Sequence, residues 1–259
     1  MTLTAVISDV HANSFALAAV LRDLRSRGAE EIYCLGDTVG YNAHPQETLR
    51  MLQNAAIPTI KGNHDMMACG ELSSERCGPN ARFSQQWTRQ LLTEDELHYL
   101  RTLPLQHHNG DTLLLHSRLG DPVSYLRSDD DYLHEYAKIR DQLPGIRLCF
   151  TGHTHVARIV EITPDGRVRR LQQATATLDP ASFYFINPGS VGHPRGSDYR
   201  ASYALLERAS GRVRLLRIHY DKAAMLAANH QVNIHTNLGP NVLEHELARF
   251  AQRLKRALM

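Results

Sequence analysis

The sequence predicts an α/β fold built on parallel strands, and three observations support that prediction. Short apolar runs that end in polar residues alternate with segments of helical periodicity over residues 1–65. From about residue 148 onward the pattern is mostly β, with turn residues between apolar strands. The 259 residues, 42% of them hydrophobic, suffice for one large domain with a substantial core. Strands that alternate with helices are typical of β-α-β units whose helices pack on the sheet.

Three strands and two helices are predicted in the N-terminal quarter. The strands are LTAVISD, EIYCLGD and IPTIKGNHD, each an apolar run that meets polar residues at its end. Asn13 is placed to cap the first helix, whose apolar positions recur at helical spacing until Gly28. A proline near the start of HPQETLRMLQNA indicates the beginning of the second helix.

Residues 66–103 carry no strand pattern and are predicted to form a helical cap insertion over the edge of the sheet. One helix surrounds the single tryptophan, and a capping box of Thr93 and Glu96 begins another. A polar helix is expected around residues 129–142. Residues 221–259 are predicted to be a C-terminal helical extension. The remaining predicted strands are DTLLLHS, IRLCFTGHTH, VARIVEI, RVRRLQQ, SFYFINPGS, ASYALLE and RVRLLRIHY.

Charge and cysteine usage exclude several classes of protein. The 29 basic and 27 acidic residues give a formal net charge of +2, too balanced for a dedicated nucleic-acid or membrane-surface binder. The four cysteines form no CxxC pair, so neither a disulfide framework nor a zinc ribbon is indicated. No segment approaches the roughly 20 apolar residues that span a bilayer, and no signal peptide is recognisable. We therefore expect a cytoplasmic protein without a membrane partner.

Candidate metal ligands stand at the ends of five predicted strands. They are Asp9, His11, Asp37, Asn63, His116, His153 and His155. Ligands of open α/β sheets bind outside the carboxyl ends of the strands, so these side chains are expected to converge. Residues two apart on an extended chain project to one face, which would pair Asp9 with His11 and His153 with His155.

The chemistry of this donor set points to two divalent cations. Imidazoles, carboxylates and one amide, without a thiolate, suit borderline or harder metals. Seven ligands exceed what one ion takes, whereas two ions about 4 Å apart that share a carboxylate would use them all. Each motif by itself can also be explained without a metal, as a polar turn that contains histidine.

The ordered motifs DVH, GD, GNHD, HS and GHTH resemble the calcineurin-like metallophosphoesterase superfamily. The segments SDVHAN, CLGDTVGY, NARFSQQWTR and INPGSVGHPRGSDYRASYALLE resemble its small prokaryotic phosphodiesterase branch. The resemblance covers most of the chain. It implies a single domain over residues 1–259 with a four-layer α/β/β/α sandwich.

The resemblance also implies a dinuclear metal centre. One metal would take Asp9, His11, Asp37 and His155, and the other Asp37, Asn63, His116 and His153. Asp37 would bridge the ions through its two carboxylate oxygens. Manganese is the expected metal, with iron, zinc, nickel or cobalt as alternatives. The expected reaction is phosphoester hydrolysis by a metal-bridging hydroxide, with His64 as general acid and Asp65 orienting it.

Phosphodiesters or small nucleotides are the expected substrates. Gly40 and Tyr41 stand where protein phosphatases of the superfamily have an aspartate and an arginine, which disfavours that class. Weaker candidates for substrate contact are Asn13, Tyr41, Asn80, Ser190 and Arg195. Each has a structural alternative: helix capping for the two asparagines, packing under the insertion for the tyrosine, and turn formation for the loop NPGSVGHPRG.

Three other functions stay open at this level. A phosphomonoesterase or protein serine/threonine phosphatase would use the same metals. A scaffold would keep the fold without turnover, although the presence of every ligand and of His64 favours an enzyme. A nuclease would need a basic groove that the sequence does not show. The expected partner is a small phosphoester substrate; a homodimer is permitted but not required.

Overall fold

A computed structural model describes residues 2–195 and 197–234 of the chain. The described residues form eleven strands and seven helices. The strands are β1 (Leu3–Ile7), β2 (Glu31–Cys34), β3 (Gln106–Asn109), β4 (Thr112–Leu115), β5 (Leu148–Thr151), β6 (Arg158–Ile162), β7 (Val168–Leu171), β8 (Thr175–Thr177), β9 (Phe183–Asn187), β10 (Ala201–Glu207) and β11 (Arg212–Ile218). The helices are α1 (Ser14–Ser26), α2 (Pro45–Asn54), α3 (Asn63–Cys69), α4 (Pro79–Leu91), α5 (Glu94–Thr102), α6 (Asp129–Gln142) and α7 (Lys222–Gln231).

The strands form two mixed sheets. The first has the order β2-β1-β10-β11-β8, and the second has the order β3-β4-β5-β9-β6-β7. Pairing is parallel between β1 and β2 and along β4-β5-β9, and antiparallel elsewhere. The predicted α/β fold is therefore confirmed, with antiparallel strands added to each parallel core.

Apolar side chains of β1 show why this strand is buried along almost its whole length. Ala5 and Ile7 belong to a cluster with Leu17 of α1 and Leu52 of α2. Val6 points to the opposite face, as successive side chains of a strand do, into a cluster shared by the two sheets. A third cluster joins α6 to the far side of the second sheet. The four-layer order that the resemblance implies stays a prediction.

The third predicted strand is wrong. Its segment IPTIKGNHD makes an isolated parallel bridge between Thr59 and Cys34, and the chain then leaves the sheet. The Lys61 N–H donates to the Pro104 carbonyl at 2.7 Å, and the Asp65 carboxylate accepts the Gly62 N–H at 2.9 Å. An acidic side chain that caps the backbone in this way begins a helix, so the GNHD residues start α3 instead of ending a strand.

The predicted helices around the tryptophan and after Thr93 are confirmed as α4 and α5. Leu100 of α5 packs in one cluster with Val39, which follows β2, and with Leu49 of α2. The insertion thus lies against the loop that carries one of the candidate ligands. Two strands were not predicted: β3 is short and polar, and β8 has three residues.

The C-terminal extension is described only in part. Helix α7 agrees with the predicted helical start of this segment, and residues 235–259 lie outside the described part of the chain. The boundaries of the predicted domains stay predictions. None of the helices in the described residues is long and apolar enough to cross a membrane.

Candidate metal centre

Loops that follow the strands bring the candidate ligands together at one end of the two sheets. Backbone hydrogen bonds join these loops: the Asp9 N–H donates to the Gly36 carbonyl, and the His11 N–H donates to the backbone carbonyl of Asp37. The Gly152 N–H donates to the His116 carbonyl at 2.8 Å. The ligand loops therefore hold one another in place before any metal contact is considered.

The backbone at the ligands is left-handed and not extended. The φ angles of Asp9, His11, Asp37, His153 and His155 lie between 48° and 62°. Residues other than glycine rarely adopt this conformation, and it is concentrated at functional sites. The expectation that alternate residues of extended chain pair the ligands is wrong. Tight turns, stabilised by the loop-to-loop hydrogen bonds, aim these side chains inward.

One group of potential ligand atoms comes from Asp9, His11, Asp37 and His155, all within 4.8 Å of one another. The His11 Nε2 and His155 Nε2 atoms lie 3.1 Å apart, and His155 Nε2 lies 3.2 Å from Asp9 Oδ1. All four residues are buried. Two imidazole nitrogens and two carboxylates that converge in this way can hold a divalent cation.

A second group is formed by Asp37, His116 and His153. His116 Nε2 lies 3.4 Å from Asp37 Oδ2 and 3.0 Å from Asn63 Oδ1. The amide oxygen of Asn63 thus adds a fourth donor to this group. The two groups coincide with the two ligand sets that the resemblance implied.

The two carboxylate oxygens of Asp37 have different surroundings. Oδ1 accepts the backbone N–H of His64 at 2.8 Å. Among the described residues Oδ2 has no hydrogen-bond partner; it is buried, 3.6 Å from His11 Nε2 and 3.4 Å from His116 Nε2. A buried carboxylate oxygen without a partner is costly, and a cation on each side would satisfy it. A single oxygen, and not the two oxygens expected from the sequence, therefore faces both groups.

The ring nitrogens that point away from the ligand groups donate to backbone carbonyls. The pairs are His11 Nδ1 with Val39, His116 Nδ1 with Leu35, His153 Nε2 with Val123, and His155 Nδ1 with His193. Such outer contacts select the tautomer and orient metal-binding histidines. Because any residue offers a carbonyl, no sequence pattern could have indicated these partners.

The pKa values of the histidines reflect burial and the carboxylates. Burial lowers the pKa of His11 well below its usual value and that of His153 to about 4, so these rings are neutral, as metal binding requires. Burial also acts on His116, but the carboxylates of Asp37 and Asp9 outweigh it and raise its pKa to about 9. The two carboxylates thus favour a positive charge at this place. A divalent cation bound to the neutral His116 ring would supply that charge in place of the ring proton.

Gly62 allows the loop that carries Asn63 to approach Asp37. A Cβ atom at residue 62 would overlap the Oδ1 and backbone N atoms of Asp37. We expect Gly62→Ala to displace the carboxylate and weaken metal binding by about 10- to 100-fold, measured by calorimetric titration with Mn²⁺. Gly145→Ala is the matched control, because nothing lies within 4 Å of its added Cβ. Equal affinity in the two variants would contradict the expectation.

The Asp65 carboxylate makes its hydrogen bonds to Thr38, Val39 and Gly62 and, among the described residues, none to the His64 ring. Its Oδ1 accepts the Thr38 N–H and hydroxyl at 2.8 and 2.6 Å, as well as the Val39 N–H, and its Oδ2 accepts the Gly62 N–H. Burial raises its pKa to about 6. The carboxylate ties the loop after β2 to the start of α3, so the expectation that it orients His64 is wrong.

The ring of His64 is oriented by Gln85 instead. The Gln85 Nε2 atom lies 2.7 Å from His64 Nδ1, and both side chains are buried. Gln85 comes from α4 of the insertion, 21 residues further along the chain. A glutamine in the amphipathic segment NARFSQQWTR gives no sequence signal of such a contact.

Two of the predicted substrate contacts are structural. The Asn13 Oδ1 accepts the Ala16 N–H at 3.0 Å, and its Nδ2 donates to the Gly192 carbonyl, so the capping alternative is confirmed. The Ser190 hydroxyl donates to the Asp9 carbonyl at 2.8 Å and accepts the His193 N–H. Both side chains hold the ligand loops.

Asn80 is exposed at the second position of α4, whose N-cap is Gly78, so its capping alternative is wrong. Tyr41 stacks on His193 with ring centroids 4.3 Å apart and lies 4.7 Å from the His11 ring. Tyr41 thus lies beside the ligand groups, and its contact with substrate stays a prediction.

Arg195 contacts Tyr125, and Tyr125 in turn contacts His153 of the second ligand group. Its Nη1 atom lies 3.4 Å from the Tyr125 hydroxyl, and Tyr125 stacks on His153 with centroids 4.2 Å apart. Tyr125 was not predicted, because an isolated tyrosine in a polar loop has no distinguishing pattern.

The pattern of the calcineurin-like phosphoesterase superfamily domain matches residues 1–211. The chain belongs to this superfamily. An uncharacterised protein of Methanocaldococcus jannaschii is 31% identical over 224 residues, which cover 85% of this chain and 88% of the relative. The predicted family is therefore confirmed.

Solved structures agree with the membership in the phosphoesterase superfamily. A metallophosphoesterase from Sphaerobacter thermophilus is 32% identical, with a TM-score of 0.75 over 90% of this chain and 95% of its own. A hypothetical protein from Pyrococcus horikoshii OT3 has a TM-score of 0.74 over 91% of this chain and 95% of its own; at 17% identity it supports the fold alone. The two His/Asp groups of this phosphoesterase fit the divalent metals that the family normally binds.

Proposed function

We propose that this phosphoesterase hydrolyses phosphodiesters or small nucleotides with two divalent ions, of which manganese is the expected metal. The observation that carries the proposal is the position of Asp37 Oδ2, which faces both ligand groups and has no hydrogen-bond partner in the described part of the chain. Two ions held by the residues of the two ligand groups would lower the pKa of water and neutralise charge on phosphate oxygens. Two adjacent, buried groups of metal ligands are therefore suited to the hydrolysis of a phosphoester.

The chain's own residues supply the remaining steps. The ring of His64 lies edge-on to the His11 ring at 4.8 Å, beside the ligand groups without belonging to them. Among the described residues its Nε2 atom has no hydrogen-bond partner, so it is available to the departing ester oxygen. We assign His64 the role of the acid that assists this departure.

The surroundings of the centre support a diester substrate. Tyr41 and Tyr125 present aromatic faces beside the ligand groups, and the Arg195 guanidinium lies 5.8 Å from the Tyr125 ring. The Arg127 guanidinium lies 3.9 Å from the same ring, so aromatic faces and two cations stand beside the ligand groups. A phosphodiester has a second ester group, which a monoester lacks, and an aromatic or nucleoside group at that place can stack on these faces.

With Mn²⁺ bound, we expect kcat/KM for a bis-aryl phosphodiester to exceed that for the matching aryl phosphomonoester by at least about tenfold, or ~1.4 kcal/mol. Steady-state kinetics with bis(4-nitrophenyl) and 4-nitrophenyl phosphate measure the ratio. A faster monoester reaction would contradict the diester preference.

Chelation is the control for metal dependence. The protein stripped with EDTA should lose activity and melt at a lower temperature, because metals that bind only the folded state stabilise it. Added Mn²⁺ should restore both. Turnover that survives complete stripping would contradict the proposed function, and absence of turnover with any metal or ester would favour a non-catalytic scaffold.

A further inference from the structure

Gln85 makes two contacts to one residue. Its side-chain nitrogen lies 2.7 Å from Nδ1 of His64 and 3.3 Å from the His64 carbonyl oxygen. Gln85 is 1% exposed and lies on the buried face of α4. A buried amide with no access to water is restricted to the partners that surround it.

The carbonyl contact determines which way the amide faces. A backbone carbonyl oxygen only accepts hydrogen bonds, so the Gln85 atom that lies beside both this oxygen and Nδ1 is assigned as the NH₂ nitrogen; among the described residues the amide oxygen Oε1 then has no partner. The same nitrogen then donates to Nδ1 of His64. Since Nδ1 accepts that hydrogen bond, the ring hydrogen of the neutral imidazole lies on Nε2.

Gly40 leaves the space that this contact occupies. A Cβ atom at residue 40 would lie 2.6 Å from His64 Nδ1 and 2.8 Å from Gln85 Nε2. The φ angle of Gly40 is +86°, which also favours glycine. Any side chain at this position would push the glutamine away from the histidine.

We propose that Gln85 is a positioning residue that holds His64 in the tautomer with its hydrogen on Nε2 and directs that N–H as a hydrogen-bond donor toward the departing ester oxygen, which takes its proton from solvent. This inference rests on the proposed function of the metal centre. Gln85 acts through His64 and does not touch the substrate. The helical insertion thereby contributes to the reaction through one of its buried side chains.

Gln85→Met removes the donor and keeps a similar volume. On methyl aryl phosphates, we expect kcat to fall about tenfold for a phenyl leaving group and less than about twofold for 4-nitrophenyl, because a good leaving group needs less help. KM should change little. Thr88→Val, one turn further along the same buried face, is the matched control, since the Thr88 hydroxyl has no hydrogen-bond partner in residues 2–195 and 197–234. It should leave both rates unchanged.

The tautomer is measured without turnover. ¹⁵N NMR of the metal-free native protein, with His64 assigned by comparison with His64→Gln, should show a protonated Nε2 and an unprotonated Nδ1. In Gln85→Met this preference should weaken. A hydrogen on Nδ1 in the native protein, or equal losses of kcat for both leaving groups, would overturn the proposal. If NMR gives the expected tautomer but no ester is hydrolysed, the proposed function fails and the tautomer assignment stands.

Discussion

Asp37→Ala is expected to lose both metal ions together and to lower kcat/KM by at least about 10³-fold. The Oδ2 atom of Asp37 faces the histidine nitrogens of both ligand groups, so each group loses a donor in a single substitution. Metal ions at phosphoryl centres contribute several kcal/mol of transition-state stabilisation, and each 1.36 kcal/mol is tenfold in rate. Metal content by mass spectrometry, together with steady-state kinetics, measures the effect.

Two comparisons sharpen this test. His11 belongs to the first group alone, so His11→Ala should lower the metal content by one ion and not by two. Asp165→Asn changes a carboxylate that is outside both groups, in the turn between β6 and β7, and should retain both ions. If Asp37→Ala kept one tightly bound ion, the shared role of its oxygen would be disproved.

His64→Asn should lower kcat by about 10²- to 10⁴-fold for a substrate with a poor leaving group, the range that a positioned acid contributes. Both metal ions should remain. The hydrogen bond from residue 64 to Asp37 Oδ1 comes from the backbone and survives the substitution. The reduction should be smaller for 4-nitrophenyl esters, whose leaving group departs without a proton.

The control for this variant is His98→Asn, which changes an exposed histidine of α5. It should match the native protein in rate and in metal content. Full turnover of the poor leaving group by metal-loaded His64→Asn would show that His64 is not the acid. Loss of metal in that variant would show that the ring supports the ligand groups instead.

Local pattern was sufficient for most helices and strands of the fold. Thr93 and Glu96 form the capping box that begins α5, and Asn13 accepts the Ala16 N–H at the start of α1, because caps depend on residues three positions apart. The third strand was predicted wrongly for a non-local reason. Whether the chain continues in a sheet beyond Ile60 depends on Pro104, which takes the Lys61 N–H, and no local periodicity records that contact.

The sequence by itself determined the family and the order of the candidate ligands, because donor type and motif order are written along the chain. Only the tertiary structure decided that one oxygen of Asp37 faces both groups, that Asp65 ties loops together, and that Gln85 orients His64. These features depend on left-handed turns and on buried contacts between distant segments. A carbonyl or an amide acquires such a role from the atoms packed around it, and those neighbours are set by the fold.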